Sequence, residues 1–390
     1  MRVGLIASPF IPVPPVRYGG TELFIADLAE GLLRAGAEVT VYTNGESTVR
    51  ADIRWRYPQQ EWPLPSEGCG LSKELDHVSW ALELASTECD VIHLNSTVAV
   101  PFSRFTDKPV VCTLHHPYAQ ALTNIYERYD QVSYVAISRH QAAEHPTVPT
   151  TVIYHGIDVS KYSFSEDKQP YLCFLGRICP IKGTHHAIEI AKRTGLRLKI
   201  AGEVQPIFRD YFEEMIRPQI DGQQIEYVGE ADHVLKNELL RHAKAFLFPI
   251  QWEEPFGLAT IEAMACGTPA IAFPGGAVKE LVKNGISGYI CSDVDEAVTA
   301  IEHLNLSPRM VRRYVEENFT SDLMAKNYLD LYRRLIGENR RLVGENRRLV
   351  GETSSAGKLP PQRTTSLGGA EELGVESIRV DDEPEVMEAG

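Results

Sequence analysis

The stretch Trp252-Glu253-Glu254-Pro255-Phe256-Gly257-Leu258-Ala259-Thr260-Ile261-Glu262-Ala263-Met264-Ala265-Cys266-Gly267-Thr268-Pro269 follows an apolar run, Ala245-Phe246-Leu247-Phe248. That run reads as a buried strand. Pro255 is tolerated near a helix start and would break a helix centre. Gly257 to Ala265 is a good helix former, and Gly267-Thr268-Pro269 closes it. The pattern is strand, turn, helix, with the helix N-terminus aimed above the sheet edge. Glu254 lies in the turn and Glu262 about two helical turns on. Two carboxylates beside free helix N–H groups can hold hydroxyls and an anion together. By itself, an acidic turn followed by a helix glutamate is the slightly better description.

Outward from this stretch the chain alternates strand and helix patterns. Strand-like runs fall at 2–7, 38–43, 91–94, 110–114, 134–137 and 151–154, with a helix pattern over 21–34 closed by Gly36. A polar segment at 161–170 follows. The alternation then restarts with strands at 171–175, 196–201, 225–228, 245–248 and 270–273, and helices near 184–194, 206–217, 233–243 and 257–265. Such alternation predicts α/β architecture with parallel sheets covered on both faces. Two doubly wound domains facing a central cleft are expected, with ligands at the carboxyl ends of the strands. A chain of 390 residues agrees with two domains rather than one core. The expected division is 1–165 and 166–320, then a helix at 321–336.

Residues 337–343 and 344–350 carry the same seven letters, Gly-Glu-Asn-Arg-Arg-Leu-Val. We expect 337–351 to extend the last helix and to offer a weak self-association strip. From 352 to 390 the chain is Gly/Ser/Pro/Glu-rich and is expected to be a disordered acidic tail. Net charge is −14, of which nine acidic and three basic residues from Gly351 onward contribute −6. No basic stripe is present, which argues against nucleic acid as the main partner. Seven scattered cysteines without a Cys-x-x-Cys pair argue against a disulfide framework and for a reducing, cytoplasmic setting. The apolar start, Met1–Ala7, is too short for a signal peptide, and no window of about 18 apolar residues spans a membrane.

Three further patterns bear on chemistry. Gly176-Arg177-Ile178-Cys179-Pro180-Ile181-Lys182-Gly183 follows the first strand of the second half and puts two cations before a helix. That suits a diphosphate, although an Arg and a Lys in one loop are more often solvated surface. Gly19-Gly20 stands between the first strand and first helix, where bare backbone can approach an anion or simply turn. It is not the Gly-x-Gly-x-x-Gly of a nicotinamide-binding domain, since Ala7-Ser8-Pro9-Phe10 occupies the tight turn. Histidines at strand ends (His93, His115 with His116, and His155) lean toward a site, but lack metal-ligand spacing. Asp293-Val294-Asp295 matches a metal-binding Asp-x-Asp in form, yet sits where Asp293 caps a helix, and we read it as a cap.

Taken together these motifs resemble the retaining glycosyltransferases of the GT-B fold, family 4, related to glycogen and sucrose synthases, over about residues 1–335. The resemblance rests on Gly176-Arg177 with Lys182-Gly183 and on the E-x7-E pair Glu254 and Glu262. It implies that Arg177 and Lys182 hold a nucleotide diphosphate and stabilise the departing phosphate without a metal. Gly19 and Gly20 would contact that diphosphate from the first domain. Glu262 would bind the ribose, and Glu254 the donor sugar, beside the backbone of Phe256, Gly257 and Leu258. His115 matches the family's active-site histidine better than His116. The donor implied is a nucleotide sugar, UDP-glucose-like ahead of GDP-mannose, and the acceptor a saccharide or small molecule. No cofactor or membrane association is expected. One departure is visible: Tyr154-His155-Gly156-Ile157-Asp158 stands where the family commonly has Asn-Gly-Ile/Val-Asp. A sugar-nucleotide epimerase and an inactive sugar-nucleotide-binding protein share the architecture and are the alternatives.

Overall fold

A computed structural model of the chain describes residues 1–17, 19–62, 64 and 69–354. The first half supplies β1 (Arg2–Ile6), α1 (Gly20–Arg34), β2 (Glu38–Thr43), β3 (Asp52–Trp55), α2 (Gly70–Glu88), β4 (Val91–Leu94), β5 (Val110–Leu114), α3 (Gln120–Tyr126), β6 (Val132–Ala136), α4 (Arg139–Glu144) and β7 (Thr150–Val152). These strands form one parallel sheet in the order β3-β2-β1-β4-β5-β6-β7. Its central strands are buried on both faces, as their unbroken apolar runs require. β3 escaped the sequence pattern because Asp52, Arg54 and Trp55 make it a half-wet edge strand.

The second half follows with β8 (Gln169–Leu175), α5 (Thr184–Thr194), β9 (Arg197–Ala201), α6 (Arg209–Tyr211), β10 (Ile225–Gly229), α7 (His233–Arg241), β11 (Ala243–Phe248), α8 (Leu258–Ala265), β12 (Ala270–Ala272), α9 (Val278–Leu281), β13 (Gly288–Ile290), α10 (Val294–Glu302) and α11 (Pro308–Asn318). Its parallel sheet runs β10-β9-β8-β11-β12-β13. The helix expected over 206–217 is instead broken: α6 runs into a π-turn at Phe212–Ile216 and a 3-10 turn opened by Arg217-Pro218. Asp293 caps α10 by accepting from the Glu296 N–H at 2.9 Å, while Asp295 pairs with Arg193. Those two partners account for the Asp-x-Asp match.

In both sheets the order reverses direction beside the first strand, between β1 and β4 and between β8 and β11. Loops leaving neighbouring strands there part to opposite faces and open a crevice. Both sheets are of the doubly wound, Rossmann-like kind.

α12 (Ser321–Ser354) returns the chain to the first domain as one continuous helix that includes the duplicated segment. It starts where Ile157 and the 319–321 turn exchange backbone bonds, Ile157 N–H to Phe319 O at 2.9 Å and Ser321 N–H to Ile157 O at 2.8 Å. It then packs on α1 so closely that a Cβ on Gly31 would lie 2.8 Å from Ala325 Cβ. Tyr328 and Tyr332 are fully buried in the first domain's core. Their hydroxyls meet Thr113 at 2.8 Å and His93 Nδ1 at 2.6 Å, and His93 Nε2 meets Thr113 at 2.7 Å. His93 is therefore a hydrogen-bonded core residue and not one of the cleft histidines. The acidic tail beyond Ser354 lies outside the described residues.

Because α12 closes the first core, Tyr328→Ala should cost about 3–5 kcal/mol of unfolding free energy. Tyr328→Phe, which loses only the Thr113 bond, should cost about 1 kcal/mol. Urea unfolding of both variants checks the ranking.

Candidate active site

The loops after β8 and β11 lie side by side because those strands pair in parallel, with Phe246 opposite Cys173. The first loop ends in Lys182 and Gly183, which opens α5; the second is the Trp252–Gly257 turn. Lys182 Nζ reaches Glu254 Oε2 at 2.5 Å, with the two side chains only 14% and 10% exposed. The Trp252 indole N–H donates to the same oxygen at 2.9 Å. Gly257 opens α8 at φ 103°, a conformation that costs an L residue dearly. One turn into α8, Glu262 Oε1 accepts from Lys236 Nζ at 2.5 Å and from the Tyr162 hydroxyl at 2.8 Å. The loop after β12 braces the turn from behind, Ala277 N–H donating to Glu254 O at 2.9 Å. Arg177 lines the same cleft and, among the described residues, has no carboxylate partner.

The facing wall comes from the first domain. Gly19 opens α1 at φ 145°, and a Cβ there would sit 2.8 Å from Pro15 Cβ and 2.9 Å from Glu22 Oε2. Glu22 is buried beneath this turn, and that burial lifts its carboxyl to about 7. Gly20 looks across the cleft at Leu258. His115 follows β5, and its Nε2 lies 3.0 Å from Asn95 Oδ1. The Asn95 amide donates to Ile6 O at 3.2 Å, which leaves Oδ1 as acceptor and assigns the proton to Nε2 of His115. Nδ1 of His115 then carries the lone pair.

His115 stacks on His155 at 5.5 Å, and both pack against Phe24. His155 also meets Phe256 edge-on at 5.0 Å, so it joins both domains. Burial holds His115 well below the usual imidazole range, aided by repulsion from His155, and burial alone brings His155 to about 3. His155 Nδ1 is buried without a hydrogen-bond partner among the described residues. His116 points elsewhere, bonding Tyr126 OH at 2.5 Å and Pro117 O at 2.7 Å.

The cleft encloses ≈ 320 Å³ between the domains. Gly19, Gly20, His115, Arg177, Lys182, Glu254, Phe256, Gly257, Leu258 and Glu262 all line it, so the structure brings the residues assigned to the donor site to one cavity, while His93 and His116 lie outside it. It adds Lys236 and His155 to the lining, and Tyr162 and Asn95 behind it. Neither Lys236 nor Tyr162 carries a local sequence signal; only the fold delivers them to Glu262. His155 did carry one, as the departure from Asn-Gly-Ile/Val-Asp. Chemically, the cleft offers a guanidinium, a shared ammonium, two helix N-termini and two carboxylates within one enclosure. That set suits a diphosphate joined to hydroxyl-bearing groups.

Two facing Rossmann-like domains with one interdomain cleft and a returning C-terminal helix constitute the GT-B architecture. Residues 158–320 match the family described as glycosyl transferases group 1, and residues 18–161 match glycosyltransferase family 4. The chain belongs to this group of glycosyltransferases and is an enzyme of the transferase class. Among relatives, an uncharacterized glycosyltransferase of Methanocaldococcus jannaschii is 22% identical, over 85% of this chain and 98% of its own. The solved glycosyltransferase AviGT4, involved in avilamycin A biosynthesis, is 26% identical with a TM-score of 0.68, covering 86% of this chain and 98% of its own. The Anabaena protein HepE, solved in complex with UDP and glucose, gives a TM-score of 0.66 at 19% identity over 85% and 99%. This membership favours transfer over epimerisation.

The buried histidines set an acid limit. Unfolded, His155 takes a proton near pH 6.5, whereas folded it does so only near 3. Between those values the unfolded chain binds the extra proton, so stability falls as pH falls. His155→Asn should therefore lose about 1 kcal/mol less than the wild type between pH 6 and 5. Urea unfolding at the two pH values measures this.

Proposed function

We propose that the chain transfers a hexose from a nucleotide diphosphate sugar, UDP-linked in preference to GDP-linked, to an acceptor hydroxyl with retention and without a metal. The observation that carries this reading is Arg177, a cation without a carboxylate partner among the described residues, lining the same cleft as the Lys182–Glu254 pair. In it, Arg177 and Lys182 take the diphosphate from one wall, and the backbone of Gly19 and Gly20 from the other. Glu262 takes the ribose, with Lys236 and Tyr162 fixing its second oxygen. Glu254 takes a sugar hydroxyl. His115 accepts another at Nδ1, since Asn95 engages Nε2.

As the C1–O bond to the phosphate breaks, negative charge grows on the leaving oxygen beside two fixed cations, which stabilise it. The acceptor hydroxyl bonds C1 from the face the phosphate leaves, and its proton passes to the departing phosphate oxygen. Two protein cations supply the charge that a divalent ion would otherwise provide. The UDP preference is supported by the UDP and glucose held in HepE. A saccharide or small-molecule acceptor fits a first domain whose α2 carries Glu74, Asp76 and Glu83 rather than a basic face. Among the described residues no helix is long and apolar enough to cross a membrane.

Arg177→Ala should lower kcat/KM for a productive UDP-hexose at least about 100-fold, the scale of a lost oxyanion-stabilising group. Donor turnover by a folded variant checks it, and undiminished turnover would remove the proposal's main support. A thermal-shift panel of nucleotide sugars selects the donor beforehand, since a bound donor raises the apparent melting temperature.

A further inference from the structure

Trp252 is a cleft residue to which neither the motif nor the fold assigns a task. It stands two residues before Glu254 in the turn after β11 and lines the cavity. Its root is fixed: the ring packs on the second domain's core, and a Cβ on Gly275 would come within 2.3 Å of the Trp252 carbonyl oxygen. The indole makes two contacts from this position. Its N–H donates to Glu254 Oε2 at 2.9 Å, and its face lies 4.7 Å from the Lys182 ammonium. Lys182 donates to that same Oε2 at 2.5 Å. Phe248, at 5.9 Å, is a more distant second ring for the ammonium.

The consequence is geometric. A glutamate side chain rotates about three bonds, and fixing it costs side-chain entropy. Here two donors fall on one oxygen, so the carboxylate plane is set and Oε1 is the oxygen left for a ligand. The cation over the indole face is stabilised by the ring's quadrupole. An ammonium has three protons, of which Glu254 engages one. The others remain for an anion in the cleft.

We propose that Trp252 is a positioning residue of the donor site: one indole ring orients Glu254 toward the sugar and seats Lys182 beside it for the phosphate. This rests on the donor-site reading above. A tryptophan that merely fills space would be indifferent to whether Glu254 can accept a hydrogen bond, and that difference is measurable.

The test compares Trp252→Phe in the wild-type and Glu254→Ala backgrounds, using the selected UDP-hexose and UDP alone. Phenylalanine keeps a ring face for Lys182 and loses the N–H. The expected result is about a tenfold loss of kcat/KM for the UDP-hexose, equivalent to one charge-assisted hydrogen bond, with UDP affinity changed less than twofold. In the Glu254→Ala background the same substitution should cost less than twofold, because the acceptor is gone. No loss, an equal loss of UDP affinity, or a tenfold loss that persists in the Glu254→Ala background overturns the proposal. If Trp252→Phe does not fold, the four indole N–H resonances of isotope-labelled wild type replace it, assigned through Trp55, Trp62 and Trp80 variants. The Trp252 signal should move further with UDP-hexose than with UDP, and equal shifts overturn the proposal. Wild type that turns over no nucleotide hexose defeats the functional reading and this inference with it. Wild-type turnover with an unaffected variant defeats this inference alone.

Discussion

The donor cleft depends on a buried ion pair, Lys182 with Glu254. Desolvating two such charges costs several kcal/mol per ion, and their attraction seldom returns more than that. A hydrophobic pair would serve stability as well. The pair earns its place by position, since it ties the loop after β8 to the turn after β11, the two loops that flank the second sheet's switch point. Trp252 sits over it and the Ala277 N–H supports it from behind. Such a pair is held ready and half-satisfied, able to share its ammonium with a phosphate and its free oxygen with a hydroxyl.

A cleft made of two domains also needs its walls set at a fixed separation. Two features accomplish this. α12 carries the chain back across the first core, anchored by Tyr328 and Tyr332. Nearer the cleft, the Glu280 carboxylate accepts from the Arg139 and His140 N–H groups at 2.9 and 2.8 Å and from the Tyr154 hydroxyl at 2.7 Å. Glu280 follows the same loop that braces Glu254. Contact between the domains and the orientation of the sugar-facing turn are thus mechanically continuous, and Gly20 is brought opposite Leu258 as a result.

Much of this was legible in the sequence, for physical reasons. Buried parallel strands must be apolar on both faces, so β4, β5 and β11 were visible as short runs. Glycines and cations next to a strand end marked the loop after β8, and Glu254 with Glu262 marked α8. What was hidden depends on contacts across long separations. β3 is amphiphilic because it is an edge. His93 looked like a cleft histidine because strand position alone does not say which face a side chain meets; its partner Tyr332 lies 239 residues away. Lys236 reaches Glu262 only through the packing of α7 beside α8, and Asn95 reaches His115 only because β4 neighbours β5. His155 was noticed as a departure at the hinge, and its place against His115 and Phe256 emerged only with both domains assembled.

A crystal structure with an intact UDP-hexose bound tests the central claim most directly. The diphosphate should lie between Arg177 with Lys182 and the Gly19-Gly20 turn, the ribose on Glu262, and the hexose on Oε1 of Glu254 with Oε2 still held by Trp252. A nucleotide seated outside the interdomain cleft, or a hexose remote from Glu254, would contradict it.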